Sequence, residues 1–373
     1  MESFVQLRRG RTPRQIHRDV GDLKDDELGR YGFTGRTAHL YRRNDPTRFR
    51  IEGDLAAVNV QTGELKPTDL EADGEPLVMF HNPDCRILLS RRGQVAPFYT
   101  RNIDGDELIF VHEGTGHFET EFGRLPYRPG DWVYLPKGTT YRQIPQDRSH
   151  LLIIEATEEF RVPEAGTLGR FFPFDSSLIT IPEPEVFPDD GREEYEIRLR
   201  QREGRSSLFY PFNPLDVEGW RGDNFPFTFN IADYDVITSD DVHLPPTVHL
   251  FMQATGVYVL NFLPRPAEGK PGVERVPWYH RNTDYDEIAF YHGGSVFGVD
   301  MPAGLISHAP QGIHHGVPER ARRRARRLFE QEKRVEWKVI AIDTRRRLIP
   351  TPVMLGAQPT QTKEEADKKE VRA

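Results

Sequence analysis

The chain has 373 residues, enough to bury one large core or two smaller ones. No apolar run is long enough to span a bilayer, and a formal net charge of −8 argues against general nucleic-acid binding. A single cysteine, Cys85, excludes an internal disulfide framework and a cysteine-rich zinc site.

The first twenty residues are charged throughout and lack the apolar stretch of a signal peptide, so the expected location is the cytoplasm. A short helix is expected near Asp22–Gly29. Beyond it the texture is that of a β protein, with 30 prolines and 31 glycines leaving few places for long helices. Strands are expected at Glu107–Val111, Trp132–Leu135, Leu151–Glu155, Val257–Phe262, Glu287–Tyr291 and Val339–Ile342, each rich in Val, Ile, Leu, Phe or Tyr between turn residues. The second helix candidate is Pro318–Glu332. It begins with the run RARRRARR at Arg320–Arg327, read as a solvated helix face or a subunit contact. The polar tail from Gln358 carries no core pattern.

An internal repeat organises the chain. Tyr99–Gly114 reads YTRNIDGDELIFVHEG and Tyr279–Gly294 reads YHRNTDYDEIAFYHGG, identical at nine of sixteen positions with an offset of 180 residues. Each is followed by a second shared pattern, GDWVYLPKGTTY at Gly130–Tyr141 and GLISHAPQGIHH at Gly304–His315. The chain is therefore read as all-β and duplicated. Residues 1–64 form an N-terminal arm, 65–160 a first barrel, 161–235 a connector, 236–356 a second barrel and 357–373 a tail.

The paired patterns resemble the two signature motifs of the cupin superfamily, which implies two jelly-roll barrels, a double cupin. In a strand, side chains two apart share a face, so such motifs can converge inside a barrel. The second copy offers His280, Glu287 and His315. Two imidazoles and one carboxylate suit a non-haem iron(II) centre, and a catalytic zinc could use the same donors. The first copy has Thr100 and Tyr141 at the two histidine positions, so that barrel is expected to be metal-free. Glu107 persists there without the histidines, which leaves Glu287 ambiguous. The plain alternative for His280 and His315 is a pair of satisfied core or surface histidines. Alternation aims His314 and His315 in opposite directions, with His315 preferred as the ligand. His308 could face the metal or merely cap its strand, and His292, matched by His112, is read as structural.

Further stretches make the chain similar to the homogentisate 1,2-dioxygenase family: NIDGDELIFVHEG at Asn102–Gly114, TEFG at Thr120–Gly123, PFNPLDVEGWRGDNFPFTF at Pro211–Phe229, HLPPT at His243–Thr247 and WYHRN at Trp278–Asn282. They fall in order across roughly residues 80–345. The resemblance implies Fe(2+) held by His280, Glu287 and His315. It also implies catalytic histidines at His243 and His308, O2 and a small aromatic hydroquinone as substrates, and a trimeric or hexameric homo-oligomer, with no nucleic-acid or membrane partner. The chain departs from the family in the run Ile-His-His-Gly-Val-Pro at the last ligand and in a short Gly293–Gly304 segment. Homogentisate itself or a related hydroquinone is the expected substrate. The alternatives are a metal-dependent cupin isomerase or hydrolase, and a non-catalytic bicupin that binds a small ligand.

Overall fold

The alternation along both repeat segments resolves into paired strands in a computed structural model, which describes residues 7–16, 18–30, 35–239, 249–270, 272–296 and 298–357. In the first half, the strand Asp106–Glu113 lies between Asp131–Leu135 and His150–Ala156 in a seven-stranded sheet. A six-stranded sheet built around Tyr99–Asn102 and Thr140–Pro145 faces it. Side chains from both sheets, among them Ile109, Val133, Phe118 and Ile153, close the barrel core. In the second half, Asp286–Gly293 lies between Leu305–Ala309 and Lys338–Thr344 in a six-stranded sheet. The strand Tyr279–Asn282 belongs to a facing three-stranded sheet. The molecule is a double cupin. All six expected strands form.

Each barrel borrows strands from the segment that precedes the other repeat. Tyr195–Arg200, from the connector, runs parallel to Tyr99–Asn102, with Arg198 beside Thr100 and Arg200 beside Asn102. Lys24–Gly29, from the N-terminal arm, runs parallel to Tyr279–Asn282, with Glu27 beside His280 and Gly29 beside Asn282. The second borrowed strands correspond as well. Phe229 of Phe227–Asn230 pairs with Trp132, and Val60 of Val58–Gln61 pairs with Ile306. The arm is thus part of the second barrel, and the connector part of the first.

The helix expected near Asp22–Gly29 is instead this strand, Lys24–Gly29, in a hairpin with Thr37–Arg42. Its sequence KDDELG has no strong strand propensity. Tertiary partners decide the outcome: Asp26 is fully buried and bonded to Arg42, while Asp25 meets His39. The arginine-rich helix does form, as Glu319–Leu328, with Arg322 buried over the Tyr279 ring and Arg326 paired to Glu274. The polar tail lies outside the described residues. Among the described residues no helix is long and apolar enough to cross a membrane.

The barrels meet through one shared apolar cluster. Phe110 and Phe290, equivalent in the repeat, pack edge to face at 6.4 Å, and Trp132 stacks on Phe251 and donates its indole N–H to Asn261. His112 and His292 are also equivalent, and their Nδ1 atoms lie 2.8 Å apart. Like atoms of like residues in contact mark a local two-fold axis through the seam. One imidazole must donate and the other accept, so the pair works only while at least one is neutral.

Burial pushes His150, His249 and His292 down to about 3, from an ordinary value of 6.5. The unfolded chain therefore binds more protons than the folded one below pH 6.5, and the stability these groups contribute is lost as pH falls from there toward 3. Urea unfolding at pH 7.5, 6 and 5 should show stability falling, by up to about 1.4 kcal/mol per pH unit for each histidine. His150→Gln should flatten the slope, and an unchanged slope would contradict this account.

Candidate metal and substrate site

The internal repeat allows the two barrels to be compared position by position. Across the first barrel, Val133, Ile109, Ile153 and Leu88 stand side by side in one row. The corresponding row in the second barrel is Ser307, Ala289, Ala341 and Leu260. Leu135, beside Glu107, is likewise matched by Ala309, beside Glu287. Three large aliphatic side chains have become alanine and one valine has become serine. The first barrel is packed shut, leaving a void of about 30 Å³, room for a single water. In the second, Glu287, Ala289, Ser307 and Ala309 on that face are only half-buried, so the interior beside Glu287 is an open cup.

Three of the five expected site residues meet at that floor. His280 and His315 are joined by two backbone hydrogen bonds of 2.9 Å. Their Nε2 atoms lie 3.4 and 3.3 Å from the same Glu287 oxygen, Oε2. The His280 Nδ1 faces the Trp278 carbonyl at 3.5 Å and the His315 Nδ1 faces the Ile313 carbonyl at 3.1 Å. A proton on each Nδ1 satisfies those carbonyls and leaves each Nε2 lone pair aimed at the centre, the usual arrangement behind a metal-binding imidazole. The Asn282 amide also reaches Glu287, at 3.5 Å. When protons occupy the Nε2 atoms instead, hydrogen bonds and charge from His280 and His315 outweigh the burial that pushes the Glu287 carboxyl up and hold it well below the usual range. Asp343, opposite Glu287 on the next strand, is driven well above its range by burial and by Glu287. The side chains of His280, Glu287 and His315 keep 21%, 27% and 22% of their exposure, so the group is open to solvent through the cup.

The structure does not bring His308 to this group. It pairs with Ile288 and so faces away from Glu287, toward the seam. There its Nε2 lies 2.8 Å from Asp286, which also accepts from the Gln311 and Leu348 amides, and its ring packs edge-on against Phe80. Of the two readings of His308, the buried structural one fits these contacts. His314 also points away, to Asp26 at 3.2 Å. His243 lies outside the described residues.

The first barrel fills the equivalent place with a side chain. Glu107, buried and 1% exposed, accepts a 2.7 Å hydrogen bond from the Tyr141 hydroxyl and pairs with the Arg200 guanidinium, itself 3.3 Å from that hydroxyl. The position corresponding to Arg200 in the second barrel is Gly29. Where one barrel inserts a guanidinium, the other has no side chain at all. Sequence reasoning overlooked Arg200 because a parallel partner strand leaves no local signal. A further group with ligand-like spacing, His112, Glu113 and His150, sits at the seam. Its imidazoles are engaged with His292 and Thr62, and Glu113 is a surface residue.

The arm hairpin forms a wall of the cup. Glu27 and His39 are in register with His280, and His39 Nδ1 lies 2.7 Å from Asp25 while Nε2 lies 3.4 Å from Glu27. Glu27 also bonds Thr37 and Trp278, and burial raises its carboxyl to about 7.

Residues 93–231 match the family described as homogentisate 1,2-dioxygenase, N-terminal. The chain is thus similar, over part of its length, to the homogentisate 1,2-dioxygenases. It is 28% identical over 335 residues to a protein of Saccharolobus solfataricus named as a dioxygenase, covering 82% of this chain and 86% of that one. It is 25% identical over 223 residues to homogentisate 1,2-dioxygenase of Emericella nidulans, covering 57% of this chain and 50% of that enzyme. Among solved structures it is similar to a cupin 2 conserved barrel domain protein from Leptotrichia buccalis, at 10% identity and a TM-score of 0.36, covering 80% of this chain and 100% of that one. The match to that family description covers most of the first barrel and its borrowed strands, whereas the open donor group lies in the second.

Arg200→Ala should leave Glu107 buried without its cation and cost about 3–5 kcal/mol in urea unfolding. Adding Glu107→Gln should recover most of that loss. If the single variant were as stable as the parent, Arg200 would not be the partner the buried carboxylate requires.

Proposed function

We propose that the second barrel is an iron(II)-dependent, ring-cleaving dioxygenase site for homogentisate or a related hydroquinone. The observation that carries this reading is the convergence of His280, Glu287 and His315 on the floor of a hollow barrel whose twin is filled. The donor set fits such an ion: two imidazole Nε2 atoms and one carboxylate oxygen, oriented by backbone carbonyls, on one side of an open space. Iron(II), when bound, supplies open positions for oxygen and a hydroquinone hydroxyl together with the electrons that start oxygen chemistry.

The protein's own residues do the remaining work. Asn282 steadies the Glu287 oxygen. Ala289, Ala341 and Ser307 leave room for a flat ring above the three donors, and the rigid strands hold it there, so that positioning lowers the barrier. His243, by its family resemblance, takes the proton from the hydroquinone hydroxyl near neutral pH. The same donors could serve an isomerase or a hydrolase, and oxygen uptake separates those activities from this one.

His280→Ala and His315→Ala should each lose iron, measured by metal analysis after anaerobic reconstitution, while circular dichroism stays unchanged. His314→Ala should retain iron. The parent protein should hold about one iron per chain and consume oxygen with at least one of homogentisate, gentisate or an uncharged hydroquinone. Iron retained in His315→Ala but lost in His314→Ala would move the ligand by one position, and no oxygen uptake with any hydroquinone would sink the dioxygenase reading. His243→Gln should keep iron and slow single-turnover ring opening by ~10²–10⁴-fold.

A further inference from the structure

The cup has a charge pattern opposite to that of its twin. At the two positions nearest the ligand strand, the borrowed strand of the first barrel carries Arg198 and Arg200, and that of the second carries Glu27 and Gly29. Among the described residues, the two sheets of the second barrel present no lysine or arginine on the cup face. Lys24, Arg42 and Arg281 sit on the other face, paired with Glu319 or Asp26. Arg265, just beyond the strand Val257–Phe262, is tied to Glu268 and the Leu263 carbonyl. The one basic group on the wall, His39, is already engaged by Asp25 at 2.7 Å.

A ring held by a metal between His280 and His315 lies next to this wall, because neighbouring strands are about 4.8 Å apart. A carboxylate substituent there would meet Glu27 and Asp25 with no permanent cation to pair it. Burial already makes one carboxylate costly at this place, as Glu27 shows, and a second would add like-charge repulsion. A hydroxyl substituent has the opposite fit, since it can donate to the Glu27 carboxylate and pack against the Trp278 ring.

We propose that the arm hairpin, through Glu27 with His39 and Trp278, selects the ring substituent, and that the substrate is an uncharged, hydroxyl-bearing hydroquinone and not a carboxylated one. The inference rests on the dioxygenase reading of the cup. Glu27 acts here as a specificity residue, placed by the N-terminal arm and outside both signature motifs.

The test is equilibrium binding by anaerobic calorimetry to the iron-loaded protein at about pH 8.5, where no turnover can occur and the Glu27 carboxyl, raised to about 7, is ionised. The probes are homogentisate, methylhydroquinone and (hydroxymethyl)hydroquinone. The parent protein should bind the hydroxymethyl compound at least about tenfold more tightly than homogentisate, as a like charge roughly 6 Å away in a partly buried site predicts. Glu27→Gln removes that charge with little change in shape and should shrink the ratio toward one, chiefly by improving homogentisate binding. A parent protein that binds homogentisate as tightly as the neutral compounds, or more tightly, overturns the proposal without needing any variant. A ratio that Glu27→Gln leaves unchanged, in protein with normal iron and circular dichroism, also overturns it. Those outcomes leave the dioxygenase reading intact if oxygen is consumed with homogentisate. Absence of binding and oxygen uptake with every hydroquinone removes both ideas together.

Discussion

A carboxylate buried inside a β-barrel requires a positive partner, and much of this molecule follows from that requirement. Both repeats keep the glutamate of the first motif, Glu107 and Glu287, on the inward face of the same strand. In the first barrel the demand is met permanently by the Arg200 guanidinium and the Tyr141 hydroxyl, and the surrounding space closes with isoleucine, valine and leucine. In the second, two imidazoles replace those partners, glycine stands where the arginine would enter, and alanines open the interior. One barrel is thereby a stable scaffold and the other a receptacle. The duplication has given two copies of a single design opposite interiors, one filled and one open.

The fold was largely readable from the sequence because its signals are local. Alternating apolar residues marked the strands, and the repeat of YxRNxDxDE with a following Pro-x-Gly turn marked the duplication. The convergence of His280, Glu287 and His315 was expected from the resemblance of the repeat to the cupin motifs, with Glu287 left ambiguous because Glu107 persists without the histidines. What escaped was non-local. The acidic run KDDELG reads as helical in isolation and becomes a strand only because Arg42, Arg281 and His39 receive its carboxylates. Arg200 carries no motif, and its meaning depends on a parallel neighbour almost a hundred residues earlier in the chain. His308 was ambiguous because strand parity relative to Glu287 depends on register, which only the pairing with Ile288 fixes.

The seam between the barrels is as selective as their interiors. Trp132, Phe251, Phe110 and Phe290 join the halves through aromatic faces and edges, and the His112–His292 contact places a proton-sharing pair on the local two-fold axis. Each half covers an apolar sheet of the other, so neither presents that face to water. His308 and Asp286 extend the polar part of the seam to within one residue of Glu287. The packing of the halves and the posture of the ligand strand are therefore mechanically connected.

The borrowing of strands has a consequence for biogenesis. The arm leaves the ribosome first and can pair within itself, Glu27 beside His39, yet its place beside His280 is filled only when the second repeat has been made. The first barrel can close much earlier, once residues 195–230 have emerged to supply its missing strands. Closing so long a loop adds only modestly to the equilibrium cost, because loop entropy grows with the logarithm of length, but contacts of such high order form slowly. The topology thus favours closure of the first barrel before the second, whose wall pairs only within its own hairpin until the Tyr279–Asn282 strand arrives. A chain cut short before Lys338–Thr344 would lack the strand that flanks Glu287 and would leave the apolar seam face of the first barrel partly uncovered.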